Sequence, residues 1–514
     1  MVKTAHLDAL PLRRGRVGSV PARGVTGVAI ALWLVAIGVR LVLINQPYID
    51  HWSWRQSDVA TIARNFFEHG FSFGYPQIDW AGGSAGYVGT EFPILPFVAA
   101  ICYKLAGVYE WIGRSQSVIF FAISLPFFFL LVRETFDSMA AIWATFFYAF
   151  APLNIFAGRS FMPDVPSLSL GIIGLYFFLC WVLDHRSAPF YLSAIAISLS
   201  ILIKATSIVV SAPILYLVVA AVYDGRLKEH FGAHRAPLQS LILFAAITLL
   251  PSALWYWHAH QIAGRFYPHH FFGAGGVQLE GFSWYWDIAR ETATSSLTPI
   301  LVIMALIGLF VAPRNKYGCL FDWWLGAMVL FVVVVGYGNR HPWYQLPLVP
   351  IAAGFAGSAC AFFESKISSH VAVMALSILL ASSFAILAFL YVRPLYESSA
   401  AQQRNAGLEL NKITATDALI VAVDNGNPAI FYYAKRKGWH FLEQNGIYGG
   451  NPENSQRAIN DLERLRREGA THLVFVTNTS WWLKSYPELT QHLSETATLL
   501  EATPEFEIYK LRSE

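Results

Sequence analysis

A chain that carries one bilayer-length apolar run after another has few folds open to it. About 20 apolar residues in helical form cross the roughly 30 Å of hydrocarbon in a membrane. The first run extends from about Val25 to Ile44. Others lie near residues 92–108, 115–132, 138–157, 165–183, 188–203, 206–223, 238–257, 297–313, 321–337, 342–361 and 369–391. Many are joined by very short connections, as helical hairpins are. The expectation is an α-helical polytopic membrane protein with about 11–13 membrane helices. Composition agrees: charged residues make up 13% of the chain, against roughly a quarter in soluble domains. Aromatics reach 15%, with many Trp and Tyr near the ends of apolar runs, where their rings suit the interface. A net charge of +3 gives no reason to expect a nucleic-acid partner. Cys102, Cys180, Cys319 and Cys360 lie in or beside apolar segments, without metal-ligand or disulfide spacing.

Residues 1–24 contain Lys3, Arg13, Arg14, Arg16 and Arg23. They lead into a run too long for a signal-peptide core, which reads as an uncleaved first span with its N-terminus in the cytoplasm. If all twelve runs crossed, the basic loop from Arg226 to Arg235 would face outside, against the positive-inside tendency. If the Pro-flanked run 92–108 re-enters or lies along the surface, parity flips. Arg133, His185-Arg186, the 224–235 loop, Arg314-Lys316 and Lys366 then face the cytoplasm, while the loop 258–296 and the tail face outside. The second arrangement is preferred.

Three regions follow: the N-terminus 1–24, a transmembrane domain 25–392 that includes an outer loop 46–91, and a tail 393–514. The tail's 122 residues hold 28 of the chain's 69 charged side chains. They alternate β-like runs (Ala418–Val423, His472–Val476, Phe506–Leu511) with helix-like stretches (Pro428–Lys435, Ser455–Glu468, Tyr486–Leu493). The tail is expected to be a small α/β soluble domain.

The strongest chemical signal lies in 46–91. It opens Pro47-Tyr48-Ile49-Asp50-His51-Trp52-Ser53-Trp54-Arg55-Gln56-Ser57-Asp58 and continues to Ala63-Arg64-Asn65. Acids, bases and tryptophans at a membrane exit are costly unless used. Val59, Ile62, Ala63 and Phe66 form one apolar stripe at helical spacing. This predicts an amphipathic helix resting on the membrane with Asp58 at its outer end. Downstream stand Asp79-Trp80-Ala81-Gly82-Gly83 and Tyr87-Val88-Gly89-Thr90-Glu91. Glycines let backbone approach a ligand, and Trp and Tyr faces stack on sugars. A second signal is Gly158-Arg159-Ser160-Phe161-Met162-Pro163-Asp164-Val165-Pro166, irregular backbone between two apolar runs, of the kind that lines a cavity.

Taken in order, these features resemble the GT-C membrane glycosyltransferases, and within them the protein O-mannosyltransferases and the lipid A aminoarabinose transferases. The shared features are a first span, a long outer loop with an acidic helix ending in Ala63-Arg64-Asn65, and a Pro163-Asp164 turn. Leu202-Ile203-Lys204-Ala205-Thr206 is similar to the family's Leu-Thr-Lys-Gly turn. Asn339-Arg340-His341-Pro342-Trp343-Tyr344-Gln345-Leu346-Pro347 is similar to its late Tyr-Tyr-Leu-Pro segment. The resemblance covers roughly residues 25–390. One place departs: where the family carries its first acidic pair, this chain has Arg55-Gln56. The acid therefore falls to Asp58, with Asp50 in reserve.

The resemblance implies a donor sugar on a polyprenyl phosphate and an acceptor hydroxyl on a lipid, glycan or protein, at the outer face of the membrane. Asp58, Asp50 and Asp164 are the candidate catalytic carboxylates. Lys204, Arg340 and His341 are the candidates for gripping the donor phosphate. Glu91, Tyr87, Arg55, Arg159, Trp54 and Tyr344 are the candidates for contact with substrate. Glu91 and Asp164 could hold a divalent cation; no His/Cys geometry fixes a metal, and no cofactor is otherwise called for. His269-His270 read as loop residues. The competing class is a polytopic transporter or lipid flippase, but the chain shows no repeated halves. With no eukaryotic retention signal in sight, the expected location is a bacterial inner membrane, with site and tail in the periplasm.

Overall fold

A computed structural model describes residues 22–223, 235–272, 277–314 and 317–512. Most of the basic N-terminus, the loop 224–234 and Lys316 lie outside these residues, so the charge argument built on them is not addressed by the fold. Among the described residues, six helices are long and apolar enough to cross a membrane: Glu110–Thr135, Asp164–Asp184, Gln239–Arg265, Leu320–Asn339, Leu348–Lys366 and His370–Ile413. The pair Phe282–Ser296 and Pro299–Val311, bent by 107°, could form a seventh. Five shorter apolar helices accompany them, among them Ile94–Ala106. At 13 residues, that helix is about 20 Å long and falls short of the hydrocarbon thickness.

Proline chemistry redraws several of the expected runs. The run 138–157 is two helices, Ser138–Phe150 and Pro152–Ala157. Ala151 between them has ψ 135°, because the ring of Pro152 disfavours helical geometry in the residue before it. The run 206–223 opens as a tight 3₁₀ turn, Ala205–Val210, before Ser211–Tyr223. Pro342–Gln345 is likewise a 3₁₀ turn, and the helix proper begins at Leu348. The expected loop 258–296 is shorter, since the helix from Arg235 continues to Arg265 and Phe282–Glu291 is helical.

The tail forms a five-stranded sheet of β1 (Leu419–Val423), β2 (Lys437–His440), β5 (Ala470–Val476), β6 (Ala497–Ala502) and β7 (Phe506–Leu511), with a small hairpin of β3 (Glu443–Gln444) and β4 (Ile447–Tyr448) beside it. The strand order in the sheet is β2-β1-β5-β7-β6. β1 runs parallel to both β2 and β5, while β7 is antiparallel to β5. The chain thus leaves β1 first to one side and later to the other, which opens a crevice at the carboxyl ends of the parallel strands.

The helix carrying Asp58 spans Ser53–His69, and its apolar stripe is covered by protein. Residues Arg55 through Phe66 are all buried. Ile62 and Phe66 pack with Ala406, Leu410 and Phe431 of the tail, and Val59 and Ala63 with Leu95, Ala99 and Tyr432. The apolar stripe read from the sequence is real, but it faces protein on both sides: Ile94–Ala106 below and the tail domain above. Polar contacts fix the junction. Gly82 N–H donates to Gly438 O at 2.6 Å and Gly438 N–H to Asp79 O at 3.0 Å. Tyr48 N–H donates to the Tyr433 hydroxyl at 2.7 Å, and Asn427 Nδ2 to Ser53 Oγ at 2.7 Å. Gly82 has φ +56°, and a Cβ there would lie 2.2 Å from the Trp439 ring. Only glycine lets the loop sit so close to β2.

Candidate active site

Asp50 and Asp58 stand eight residues apart in the chain and in opposite surroundings. Asp50 is fully enclosed. Its Oδ2 accepts from Arg114 Nη2 at 2.8 Å and Arg159 Nη2 at 2.7 Å, and its Oδ1 from Gln56 Nε2 at 2.7 Å and Trp52 N at 3.2 Å. Arg159 also donates to Leu43 O and Gln46 Oε1, and Arg114 to Gln46 O. This corrects two expectations. Asp50 anchors the exit of the first span and has no free lone pair for a proton in flight; Arg159 serves that anchor, with its end groups turned into protein.

Asp58 is 3% exposed and, among the described residues, has one hydrogen-bond donor, Trp80 Nε1, at 3.0 Å from Oδ1. Burial raises its pKa to about 6, against the pull of the Trp80 bond and of the nearby Arg55 and His440. A carboxylate poised near neutral pH with few partners is suited to accept a proton. Arg55 lies beside it and pairs with Glu91 at 2.5 Å. Burial would raise the pKa of Glu91, but the charges of Arg55 and Lys204 outweigh it and hold the group below its ordinary range. Thr90 Oγ1 donates to Glu91 at 3.0 Å.

Lys204 occupies the kink between Ser187–Ile203 and the Ala205–Val210 turn. It forms a buried ion pair with Asp164, and its ammonium sits 4.4 Å over the Tyr344 ring. Among the described residues, the other oxygen of Asp164 is buried without a hydrogen-bond partner. A narrow cleft here is lined by Asp164, Lys204, Thr206, Ser207, Trp343 and Tyr344. His341 stacks on Trp343 at 4.5 Å, and Trp54 packs against both, at 5.4 Å and 5.6 Å. Burial and then the charges of Arg340, Arg55 and Lys204 push the pKa of His341 down to about 4. It is therefore neutral at physiological pH, which corrects its expected part as a cationic grip; it can still offer one N–H. Arg55 is within electrostatic reach of Asp58, Glu91, Tyr344 and Asp164, so it links the two carboxylate sites into one polar tract by its field.

Other candidates fall outside that tract or change character. Arg340 is exposed, with its guanidinium 4.4 Å over Tyr337 and a long bond to Tyr337 O at 3.4 Å. It stands at the rim, near His341. Tyr87 packs against Tyr75 at 5.4 Å and Phe266 at 5.1 Å, in an aromatic wall of the loop rather than beside Asp58. Glu91 and Asp164 each hold a protein cation, and among the described residues no group of three or more His, Cys, Asp and Glu is placed to hold a metal. His270 is more than a loop residue: its ring is 5.5 Å from Trp80 and 4.4 Å from Phe272, and burial lowers its pKa to about 4. Gly89 and Phe271 form a bridge that brings this segment beside Glu91.

Sequence reasoning missed the tail's contribution. His440, the last residue of β2, lies 5.3 Å from the Trp80 ring, and its Nδ1 is 2.9 Å from the Asp424 carboxylate at the end of β1. A histidine and an aspartate at the ends of adjacent parallel strands were the available signal, but β2 itself is only four residues long.

Residues 90–257 match the family model described as dolichyl-phosphate-mannose-protein mannosyltransferase. Among curated protein sequences, none matches. Solved structures do. ArnT from Cupriavidus metallidurans in the apo state has 15% sequence identity and a TM-score of 0.63, covering 95% of this chain and 98% of that one. The chain has the ArnT fold. The same protein bound to undecaprenyl phosphate gives 14% identity and a TM-score of 0.61, over 94% of this chain and 98% of that one. The archaeal oligosaccharyltransferase AglB from Archaeoglobus fulgidus, in complex with an inhibitory peptide and a dolichol-phosphate, gives 13% identity and a TM-score of 0.56, over 96% of this chain and 74% of that one. The ArnT-like fold thus extends through the tail as well as the membrane helices.

Proposed function

We propose that the protein is a membrane glycosyltransferase that moves a sugar from a polyprenyl-phosphate donor to an acceptor hydroxyl at the outer face of a bacterial inner membrane. The observation that carries this reading is the pairing of two sites in one tract. Asp58 is a buried carboxylate with its pKa near neutral and a single donor, and Lys204 is a buried cation at the end of a membrane helix beside a half-satisfied Asp164. The match to the mannosyltransferase family and the fold shared with an ArnT that binds undecaprenyl phosphate support it.

In the reaction, the acceptor oxygen attacks the anomeric carbon and a new glycosidic C–O bond forms. The bond from that carbon to the phosphate oxygen breaks, and polyprenyl phosphate leaves with the bonding pair. Asp58 takes the acceptor's proton. The Lys204 ammonium turns from Asp164 toward the leaving phosphate and pairs with it, with Arg55 close by in the same field and Arg340 at the rim. Tyr344 and Trp54 offer the ring faces on which a sugar stacks. The test is full-length protein in lipid vesicles with radiolabelled polyprenyl-monophosphate sugars and a cell-envelope extract as acceptor. Protein-dependent release of polyprenyl phosphate, with label passing to an acceptor, is expected. Solute uptake or lipid translocation with every donor left intact would overturn the reading in favour of a transporter.

A further inference from the structure

The carboxyl ends of β1 and β2 face the loop that holds the base, and the contact is built rather than incidental. Two backbone hydrogen bonds join Asp79 and Gly82 to Gly438, so the turn carrying Trp80 is fixed against the edge strand of the tail. Immediately after Gly438 and Trp439 comes His440, 5% exposed. Its Nδ1 is held by both oxygens of Asp424, each at 2.9 Å, and Asp424 is fully enclosed. Asp424 also accepts from Gly426 N at 3.0 Å, and so is itself fixed. The imidazole lies tilted against the Trp80 ring at 5.3 Å, and among the described residues the N–H of Trp80 is the one donor to Asp58. Phe431 also packs edge-on against the imidazole at 5.3 Å.

We infer that the C-terminal domain is a working part of the site, with His440, held by Asp424, acting as a positioning residue that sets the orientation and charge environment of Asp58 through Trp80. The chain Asp424–His440–Trp80–Asp58 crosses from the tail into the outer loop. Nothing else in the packing requires a titratable pair there, since an apolar residue would fill the space between Trp80 and Phe431 without the cost of burying Asp424. The nearby Arg55 and His440 both favour the ionised form of Asp58, and Glu91 opposes it. Asp424 holds Nδ1, and Tyr448 and Asn425 border it on the tail side. The role rests on Asp58 being the base of the proposed transfer, but the geometric coupling can be measured without turnover.

The experiment follows reaction of Asp58 with a hydrophobic carbodiimide, which attacks protonated buried carboxyls, in the full-length protein in detergent. Mass spectrometry of the peptide containing Asp58 reads the labelling across pH. Wild type should lose labelling with a midpoint near 6, the pKa of the buried acid. His440→Gln should move that midpoint upward by at least half a pH unit, and Trp80→Phe, which keeps the ring but removes the N–H, should do the same. In a transfer assay both should lower kcat about tenfold or more with donor KM unchanged. If His440→Gln leaves both the midpoint and kcat at wild-type values while the protein remains folded, the inference is overturned. It is equally overturned if kcat falls only in proportion to the folded fraction, with the midpoint unmoved. A shifted midpoint in a protein that consumes no polyprenyl-phosphate sugar would keep the coupling and discard the transferase reading.

Discussion

Two aspartates in one short loop show how burial divides structure from chemistry. Asp50 is surrounded by four donors, two of them guanidinium groups, and its charge is compensated on every side. Asp58 is almost as deeply buried but has one indole N–H. The first arrangement stabilises a joint, because any movement of Asp50 would leave two buried arginines without a partner. The second leaves a carboxylate poorly stabilised in its charged form, which is what a general base needs and what a fold would otherwise avoid. The same division recurs at depth: Asp164 and Lys204 satisfy each other only in part, and the spare oxygen of Asp164 marks where a ligand can exchange into the pair.

That contrast can be broken most forcefully at Asp50. Replacing it with alanine strands Arg114 and Arg159 and should destabilise the protein by about 3–5 kcal/mol, the usual cost of removing one partner from a buried ion pair. Yield and thermal unfolding of the purified protein would show it, and a variant as stable as wild type would mean the two arginines find other partners. Asp58→Asn should do the reverse. The pKa of Asp58 is raised to about 6 in the folded protein, so its ionisation opposes folding, and wild-type stability falls as pH climbs from about 4 to 6. At pH 7 the asparagine variant should be more stable by about 2–3 kcal/mol, with the difference vanishing near pH 4; equal melting temperatures across that range would contradict the burial argument.

Lys204→Met should weaken binding of polyprenyl phosphate without sugar by about 1.5–3 kcal/mol, the scale of a charge-assisted hydrogen bond. Undiminished binding of the bare lipid phosphate would assign Lys204 to Asp164 alone. Arg340→Gln should cost less than about 1 kcal/mol, as exposed charges usually do. A loss as large as that for Lys204 would mean that Arg340 turns inward when the donor is bound.

The membrane class and the small α/β tail were legible because both rest on composition and period, which tertiary contacts do not change. Ala418–Val423 and Phe506–Leu511 became β1 and β7 almost residue for residue. The polar tract was legible as residue types at membrane exits, and Asp58, Glu91, Arg55, Lys204, Asp164, His341, Trp54 and Tyr344 do come together. What could not be read was the packing around each. The stripe on Ser53–His69 is identical whether it faces lipid or Ala406 and Leu410, so a buried helix read as an interfacial one. Asp50 and Asp58 look alike in the chain because their partners, Arg114 and Arg159 for one and Trp80 for the other, lie tens of residues away. The role of His440 was hidden for the same reason: its meaning depends on the tail docking onto Gly82.

The central claim, that Asp58 is the base, is tested most directly by comparing sugar transfer by wild type and Asp58→Asn in the same vesicles, with folding monitored alongside. The account predicts a rate lower by about 10²–10⁴-fold in a variant that inserts, melts no lower than wild type and still binds polyprenyl phosphate. Turnover near the wild-type rate by that folded variant would contradict it.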